Sequence, residues 1–139
     1  MDRKARFVNR AHASGTRLLF DQLLALHEID EATLVGGQQM EFTHAAVAAY
    51  VASGMADASF GVEAAARKFG LDFIRLLTED YLFVCKRAFL ETEPMQRVLD
   101  VMKGSEFHAA IAALPGYIAA NTGAVSTVKE FLERMDAGR

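Results

Sequence analysis

Short apolar segments alternate with helical patterns through the first half of the chain, and this alternation constrains the fold more than any other feature. Residues 6–9 and 56–60 are predicted to be short buried strands, whereas residues 16–27, 44–53 and 62–69 carry apolar side chains at helical spacing. Strands that alternate with helices are typical of parallel sheets, because each helix returns the chain to the same end of the sheet. The first half therefore predicts an α/β unit.

Two further strands are predicted after this unit. Residues 72–77 and 81–85 are rich in Phe, Ile, Leu and Val, which favour extended structure. The expected fold class is thus α/β, with three layers: a small, mostly parallel sheet and helices on its faces.

The last third of the chain is predicted to be helical. Pro94 suits the first position of one helix, and Ser105 begins a second. Thr127 and Glu130 have the spacing of a capping box, which opens a helical tail over residues 126–139. The apolar faces of these helices exceed what a small sheet covers, so we expect them to pack on a partner chain or on another lobe.

The composition excludes several classes of protein. The chain has 139 residues, of which 52% are hydrophobic and 24% charged, as in a folded domain. A net charge of −3 provides no basic surface for nucleic acid or for an anionic membrane. The charged start, Met1 to Arg6, is not followed by the apolar run of a signal peptide. We expect a cytoplasmic location, no membrane and no direct nucleic-acid partner.

The segment Ser14-Gly15-Thr16-Arg17 stands between a predicted strand and a predicted helix. Free backbone N–H groups and the helix dipole favour small anions at such a helix start. Thr16 could donate its hydroxyl, and Arg10 or Arg17 could pair with an oxyanion. The alternative is a simple N-cap in which Ser14 only satisfies the helix.

Two other turns are candidates for the same role. Thr43 caps the predicted helix that begins at His44, and His44 could donate to an anion or respond to pH. The turn Gly61-Val62-Glu63 follows a strand, where open α/β sheets bind ligands, and its amide groups could complete an anion site. The alternatives are a solvated or packed histidine and a purely structural turn.

Catalytic and metal-binding patterns are missing from the sequence. The histidines lack metal-ligand spacing, no CxxC, GxGxxG, GxxxxGK[ST] or GxSxG motif occurs, and no carboxylate pair suggests acid–base chemistry. The single cysteine, Cys85, is predicted to be a buried and inert thiol, because it ends an apolar run. Residues 63–71 resemble the start of a helix-turn-helix, but the acidic, strand-like residues 72–80 that follow exclude a recognition helix. We expect no catalytic residue, no metal and no cofactor.

Short segments between residues 6 and 125 match the signatures of one family in the expected order; they are Phe7-Val8-Asn9-Arg10, Ser14-Gly15-Thr16-Arg17-Leu18-Leu19, Glu41-Phe42-Thr43-His44-Ala45-Ala46-Val47-Ala48, Val51-Ala52-Ser53-Gly54-Met55-Ala56-Asp57-Ala58, Gly61-Val62-Glu63-Ala64-Ala65-Ala66, Leu114-Pro115-Gly116-Tyr117 and Thr122-Gly123. The chain thereby resembles a type II periplasmic-binding-protein-like domain. This domain occurs in molybdate-binding proteins, in fusions with helix-turn-helix regulators, and at the end of some molybdopterin biosynthesis proteins.

The resemblance implies a domain over residues 1–125, followed by the tail at 126–139. Residues 6–77 would be the second of two lobes that close on a ligand, and the strand and helices of residues 81–125 would return toward the first lobe. The first lobe would precede residue 6 and is absent from this chain. Ala13 also departs from the family, which usually has glycine there.

The resemblance further implies a non-catalytic domain that binds or senses an oxyanion, molybdate or tungstate, in molybdenum uptake, regulation or cofactor biosynthesis. The implied contacts are Ser14, Gly15 and Thr16, with Thr43, His44 and the Gly61-Val62-Glu63 turn lining the same cleft and Arg10 and Arg17 beside it. With one lobe, we expect weak affinity and self-association through the uncovered surface. The alternatives are an accessory domain of a molybdopterin biosynthesis enzyme and an organic-anion effector domain of a transcription regulator.

Overall fold

A computed structural model of the chain describes residues 4–137. These residues fall into two compact units, one up to Thr78 and one from Glu79 onward. The elements of the first unit are β1 (Phe7–Arg10), α1 (Gly15–Leu26), a 3-10 turn (Glu31–Thr33), β2 (Met40–Glu41), α2 (His44–Ala52), β3 (Ala58–Ser59) and α3 (Glu63–Lys68). Those of the second unit are α4 (Arg87–Leu90), α5 (Glu93–Lys103), α6 (Ser105–Ala112) and α7 (Val128–Ala137).

The first unit is built on a three-stranded parallel sheet with β1 in the centre, in the order β2-β1-β3. Asn9 is in register with Met40 on one side, and Phe7 with Ala58 on the other. The prediction of an α/β fold with a small parallel sheet and flanking helices is confirmed. Strand β2 is not among the predicted strands, because two residues carry no detectable alternation.

The core of the first unit lies between the sheet and the helices. Val8 of β1 and Val47 of α2 are almost completely buried and pack together. On the α1 side, the ring of Phe20 stacks on that of Phe7 with centroids 4.7 Å apart and meets Phe60 at 5.0 Å. Such aromatic contacts add to the burial of apolar area, and they fix α1 and the end of β3 against the central strand.

The predicted strands at residues 72–77 and 81–85 are not formed. No described residue pairs with either segment, and a strand gains stability only from the hydrogen bonds and side chains of a neighbouring strand. The prediction of a buried thiol at Cys85 is wrong for the same reason, since the unpaired segment leaves the thiol exposed.

Helix starts in the second unit follow local sequence rules. Helix α5 begins at Glu93, one residue before Pro94. The capping box at α7 is present: Thr127 Oγ1 accepts from the Glu130 amide at 3.2 Å, and Glu130 Oε2 accepts from the Thr127 amide at 2.7 Å. None of the helices within residues 4–137 is long and apolar enough to cross a bilayer.

Candidate functional site

The carboxyl ends of the parallel strands lie at one edge of the sheet, and the helices that follow them begin there. Strand β1 ends at Arg10 and leads through a short loop into α1 at Gly15. Strand β2 leads within three residues into α2 at His44. This edge is where open α/β sheets place ligands, and the sequence-predicted site residues come from its loops and helix starts.

The two longer helices of the first unit, α1 and α2, begin with the predicted caps. Ser14 Oγ accepts from the Arg17 amide at 3.1 Å, and Thr43 Oγ1 accepts from the Ala46 amide at 3.0 Å. Each hydroxyl therefore uses a lone pair for the cap and keeps its proton for another acceptor. Within residues 4–137, the amide groups of Gly15 and Thr16 find no acceptor, so the first turn of α1 presents two free donors.

Arg10 is the unusual residue of this edge, because its guanidinium is buried without a counter-charge from any residue between 4 and 137. The residue is 8% exposed, and its Nη2 donates to the Phe42 carbonyl at 3.0 Å. Its Nε and Nη1 are buried and have no partner among the described residues. An arginine can only donate, so these two nitrogens require an acceptor to satisfy them.

His44 is the second residue with an unsatisfied nitrogen at this place. Its Nδ1 is buried and has no partner in the described part of the chain. Burial, and then the nearby positive charge of Arg10, lower the pKa of His44 below its usual value, which keeps the ring neutral near pH 7. A Cβ at Gly61 would lie 3.8 Å from this Nδ1. The structure thus brings Arg10, His44 and Gly61 together, although they are far apart in sequence.

Arg17 and Glu63 already have partners of opposite charge. Arg17 is 4% exposed, and it contacts Asp21 at 2.7 Å and Glu31 at 2.6 Å. Burial lowers the pKa of Arg17, but the hydrogen bonds to these carboxylates outweigh it and raise the pKa above its usual value. Glu63 pairs with Arg67 and Arg75, whose hydrogen bonds lower the pKa of the carboxyl.

The third predicted turn has a different geometry from the other two. Val62 is the N-cap of α3 and makes no side-chain capping bond, and the helix has only six residues. Gly61 leaves space beside His44 and Val47. The sequence did not indicate the Phe42 carbonyl as the group that holds Arg10, since backbone carbonyls are alike at every position and only the fold selects one.

Comparisons with known proteins agree with this architecture. The family model described as a PBP superfamily domain matches residues 1–103. An uncharacterised protein of Bacillus subtilis strain 168, YvgK, is 33% identical over 120 residues, which are 86% of this chain and 38% of that protein. An uncharacterised protein of Clostridium pasteurianum, encoded in the 5′ region of a 2Fe-2S ferredoxin gene, is 32% identical over 115 residues, or 79% of this chain and 98% of that protein.

No solved structure matches the chain. The chain spans less than two fifths of the Bacillus relative but nearly all of the Clostridium relative. The family model covers well over half of the residues, including all of the first unit. The chain therefore belongs to the PBP superfamily, the periplasmic-binding-protein-like domains.

Proposed function

We propose that this domain binds a small oxyanion, molybdate or tungstate, at the carboxyl edge of its sheet and carries out no chemistry on it. Membership of the PBP superfamily, whose domains are generally non-catalytic binding domains, supports the class of function. The observation that carries the proposal is the buried guanidinium of Arg10, with two nitrogens that find no acceptor in the described part of the chain.

The energetics of Arg10 favour an anionic ligand. A buried charge without a partner costs several kcal/mol, even after the protein relaxes around it. A dianion beside Nε and Nη1 would supply the missing acceptors and the missing charge at once. Charge-assisted hydrogen bonds of this kind are about twice as strong as neutral ones.

The surroundings of Arg10 supply donors of the kind that an oxyanion needs. The hydroxyls of Ser14 and Thr43 retain their protons, and the amide groups of Gly15 and Thr16 have no acceptor among the described residues. The positive end of the helix dipole adds to the attraction. In its neutral form, His44 donates from one ring nitrogen. Tetrahedral oxyanions such as molybdate accept at every oxygen, which suits a set of donors.

Arg17 and Glu63 are not part of the proposed contacts. Binding through Arg17 would require breaking its ion pairs with Asp21 and Glu31. Since the free nitrogens of Arg10 are shielded, an anion reaches them only if the arginine side chain or the loop before Ser14 moves. We expect such a movement to accompany binding.

Titration calorimetry with molybdate, tungstate, sulfate, phosphate and small carboxylates tests the proposal. We expect weak binding of molybdate and tungstate, with a Kd near 1 mM, equal to about −4 kcal/mol. Arg10→Met should abolish it, whereas Arg97→Met, at an exposed position of α5, should leave it unchanged. Circular dichroism of each variant checks that the fold is retained.

The outcomes separate the alternatives. Equal binding by the Arg10→Met variant and the natural chain would overturn the site. Preference for a carboxylate over both metal oxyanions would replace the proposed ligand by an organic anion, as in effector domains of transcription regulators. Nanomolar binding of molybdate would contradict the expectation that the contacts of this chain alone give low affinity.

A further inference from the structure

A segment of the second unit, residues 79–85, has a composition that favours a strand, but no strand of the described residues lies beside it. Within the part of the chain that the structure describes, no backbone group from Glu79 to Cys85 makes a hydrogen bond. The apolar side chains of this segment are open to solvent, with Tyr81 67%, Phe83 87% and Val84 82% exposed. An unpaired, apolar and β-prone segment is a template for pairing with another strand.

The charges of this segment are arranged so that it is complementary to itself. Two acidic residues, Glu79 and Asp80, precede five consecutive residues of apolar character, and two basic residues, Lys86 and Arg87, follow them. When two copies of the segment run antiparallel, the acidic residues of one copy lie opposite the basic residues of the other. All four charged side chains are exposed, and none forms an ion pair with another described residue.

We propose that residues 80–86 of two copies of this chain pair as antiparallel strands about a two-fold axis at Phe83, directly before α4 begins at Arg87. In this register Asp80 faces the partner subunit's Lys86, and Glu79 lies beside the partner subunit's Arg87, the first residue of α4. Leu82 faces the partner subunit's Val84, and the two Phe83 side chains stand directly opposite. The contact uses the same surface of both copies, as a closed two-fold dimer requires.

Other registers and directions of the same segment bring fewer opposite charges together. A shift of one residue in either direction leaves one acid–base pair on each side of the axis in place of two. Parallel pairing sets acid beside acid and base beside base, which is repulsive. The charge pattern therefore selects a second copy, and it selects one register.

Reciprocal charge reversal tests the partner. At about 100 µM, a concentration at which dimers of micromolar Kd form, light scattering of the natural chain should give about twice 15.2 kDa. The double variant Glu79→Lys with Asp80→Lys should be monomeric, and so should Lys86→Glu with Arg87→Glu. An equimolar mixture of the two variants should regain the dimer mass, which also shows that both are folded.

Three results would overturn the proposal: a monomeric natural chain at this concentration, dimers of either double variant alone, or a mixture that stays monomeric. In the last case the proposed acid–base pairs do not hold two copies together. Because the changed side chains are exposed and unpaired, loss of the dimer is not explained by loss of the fold, and far-ultraviolet circular dichroism verifies this.

Cysteine cross-linking tests the register. In a Cys85→Ser background, Phe83→Cys places two thiols opposite each other, with Cβ atoms about 5 Å apart. Leu82→Cys is the matched control, since its two copies are offset by two positions and lie about 7–8 Å apart, beyond ordinary disulfide reach. We expect rapid intersubunit disulfide formation for the first variant and at least tenfold slower formation for the second. Equal rates would overturn the proposed axis.

Discussion

Arg17 Nη2 donates to Glu31 Oε2 at 2.6 Å, and this ion pair ties helix α1 to the connection that follows it. The other oxygen of Glu31 accepts from Asn9 Nδ2 of the central strand at 3.0 Å. Asn9 also donates to the Gly37 carbonyl and is 1% exposed. One carboxylate therefore joins the strand, the helix and the connection, and it neutralises a buried arginine close to the proposed site.

Replacement of Glu31 should destabilise the first unit. Glu31→Ala leaves Arg17 with one carboxylate, and it removes an acceptor from buried Asn9. We expect a loss of about 1–3 kcal/mol in the free energy of unfolding, since unpaired buried polar groups cost this much. Urea unfolding measures it. Glu93→Ala removes an exposed helical pair with Arg97 and should cost less than about 0.5 kcal/mol. Equal costs would contradict the bridging role.

Replacement of Arg10 should have the opposite effect on stability. Arg10→Met keeps most of the apolar stem and removes a buried charge that has no counter-ion among residues 4–137. The loss of its bond to the Phe42 carbonyl is small beside the desolvation of the charge. We expect stability to rise by about 1 kcal/mol or more in the absence of anions. A clear loss of stability in urea unfolding would show that Arg10 is satisfied without a ligand.

His44 should make stability depend on pH. Its pKa is lower in the folded protein than the usual 6.5, so the unfolded chain binds more protons between the two pKa values. The free energy of unfolding therefore falls as the pH drops below about 6.5, and it levels off once folded His44 protonates. His44→Gln should remove this dependence, which urea unfolding between pH 5 and 7.5 measures. An unchanged pH profile would contradict the assignment.

An anion beside His44 should raise the pKa of the ring, because a negative charge favours the protonated form. Proton NMR of the His44 ring, with and without 20 mM sulfate as the probe, reads this directly. His108 in the second unit is the internal control, since it lies outside the proposed site. Identical shifts of both histidines would indicate a general salt effect.

Gly61 should be replaceable without loss of the fold. A Cβ at Gly61 meets His44 Nδ1 and Val47 Cγ2 at 3.8 Å, an ordinary contact distance. Gly61→Ala should change the free energy of unfolding by less than about 1 kcal/mol, yet weaken oxyanion binding by covering the ring nitrogen. Calorimetry beside thermal unfolding separates these effects. Unchanged affinity would place the anion away from His44.

Gly36 should not tolerate the same change. Its φ is +80°, and a Cβ there would lie 2.6 Å from the Phe7 carbonyl oxygen, a backbone atom that cannot move aside. Gly54 has φ +75° but open space around it. Gly54→Ala should cost about 1 kcal/mol of backbone strain, and Gly36→Ala clearly more. Thermal unfolding compares them, and equal losses would show that the steric contact is unimportant.

Features that depend on neighbouring residues were predictable from the sequence. Ser14 and Thr43 cap their helices as expected, because a capping bond joins residues three positions apart. The central strand and the main helices also follow from local patterns. Two features did not follow from local patterns: the short strand β2, and the lack of a strand at residues 81–85. Both depend on whether another strand lies alongside, and that strand is distant in the sequence.

The sequence by itself determined the central strand, the main helices with their caps, and the position of two arginines beside one strand–helix loop. It made Arg10 and Arg17 equal candidates for an anion. Only the tertiary structure distinguished them: Arg17 meets Asp21 and Glu31, whereas Arg10 is buried with two nitrogens that no described residue satisfies. The physical reason is that pairing and desolvation depend on which distant groups the fold brings within about 4 Å, and no local pattern encodes that distance.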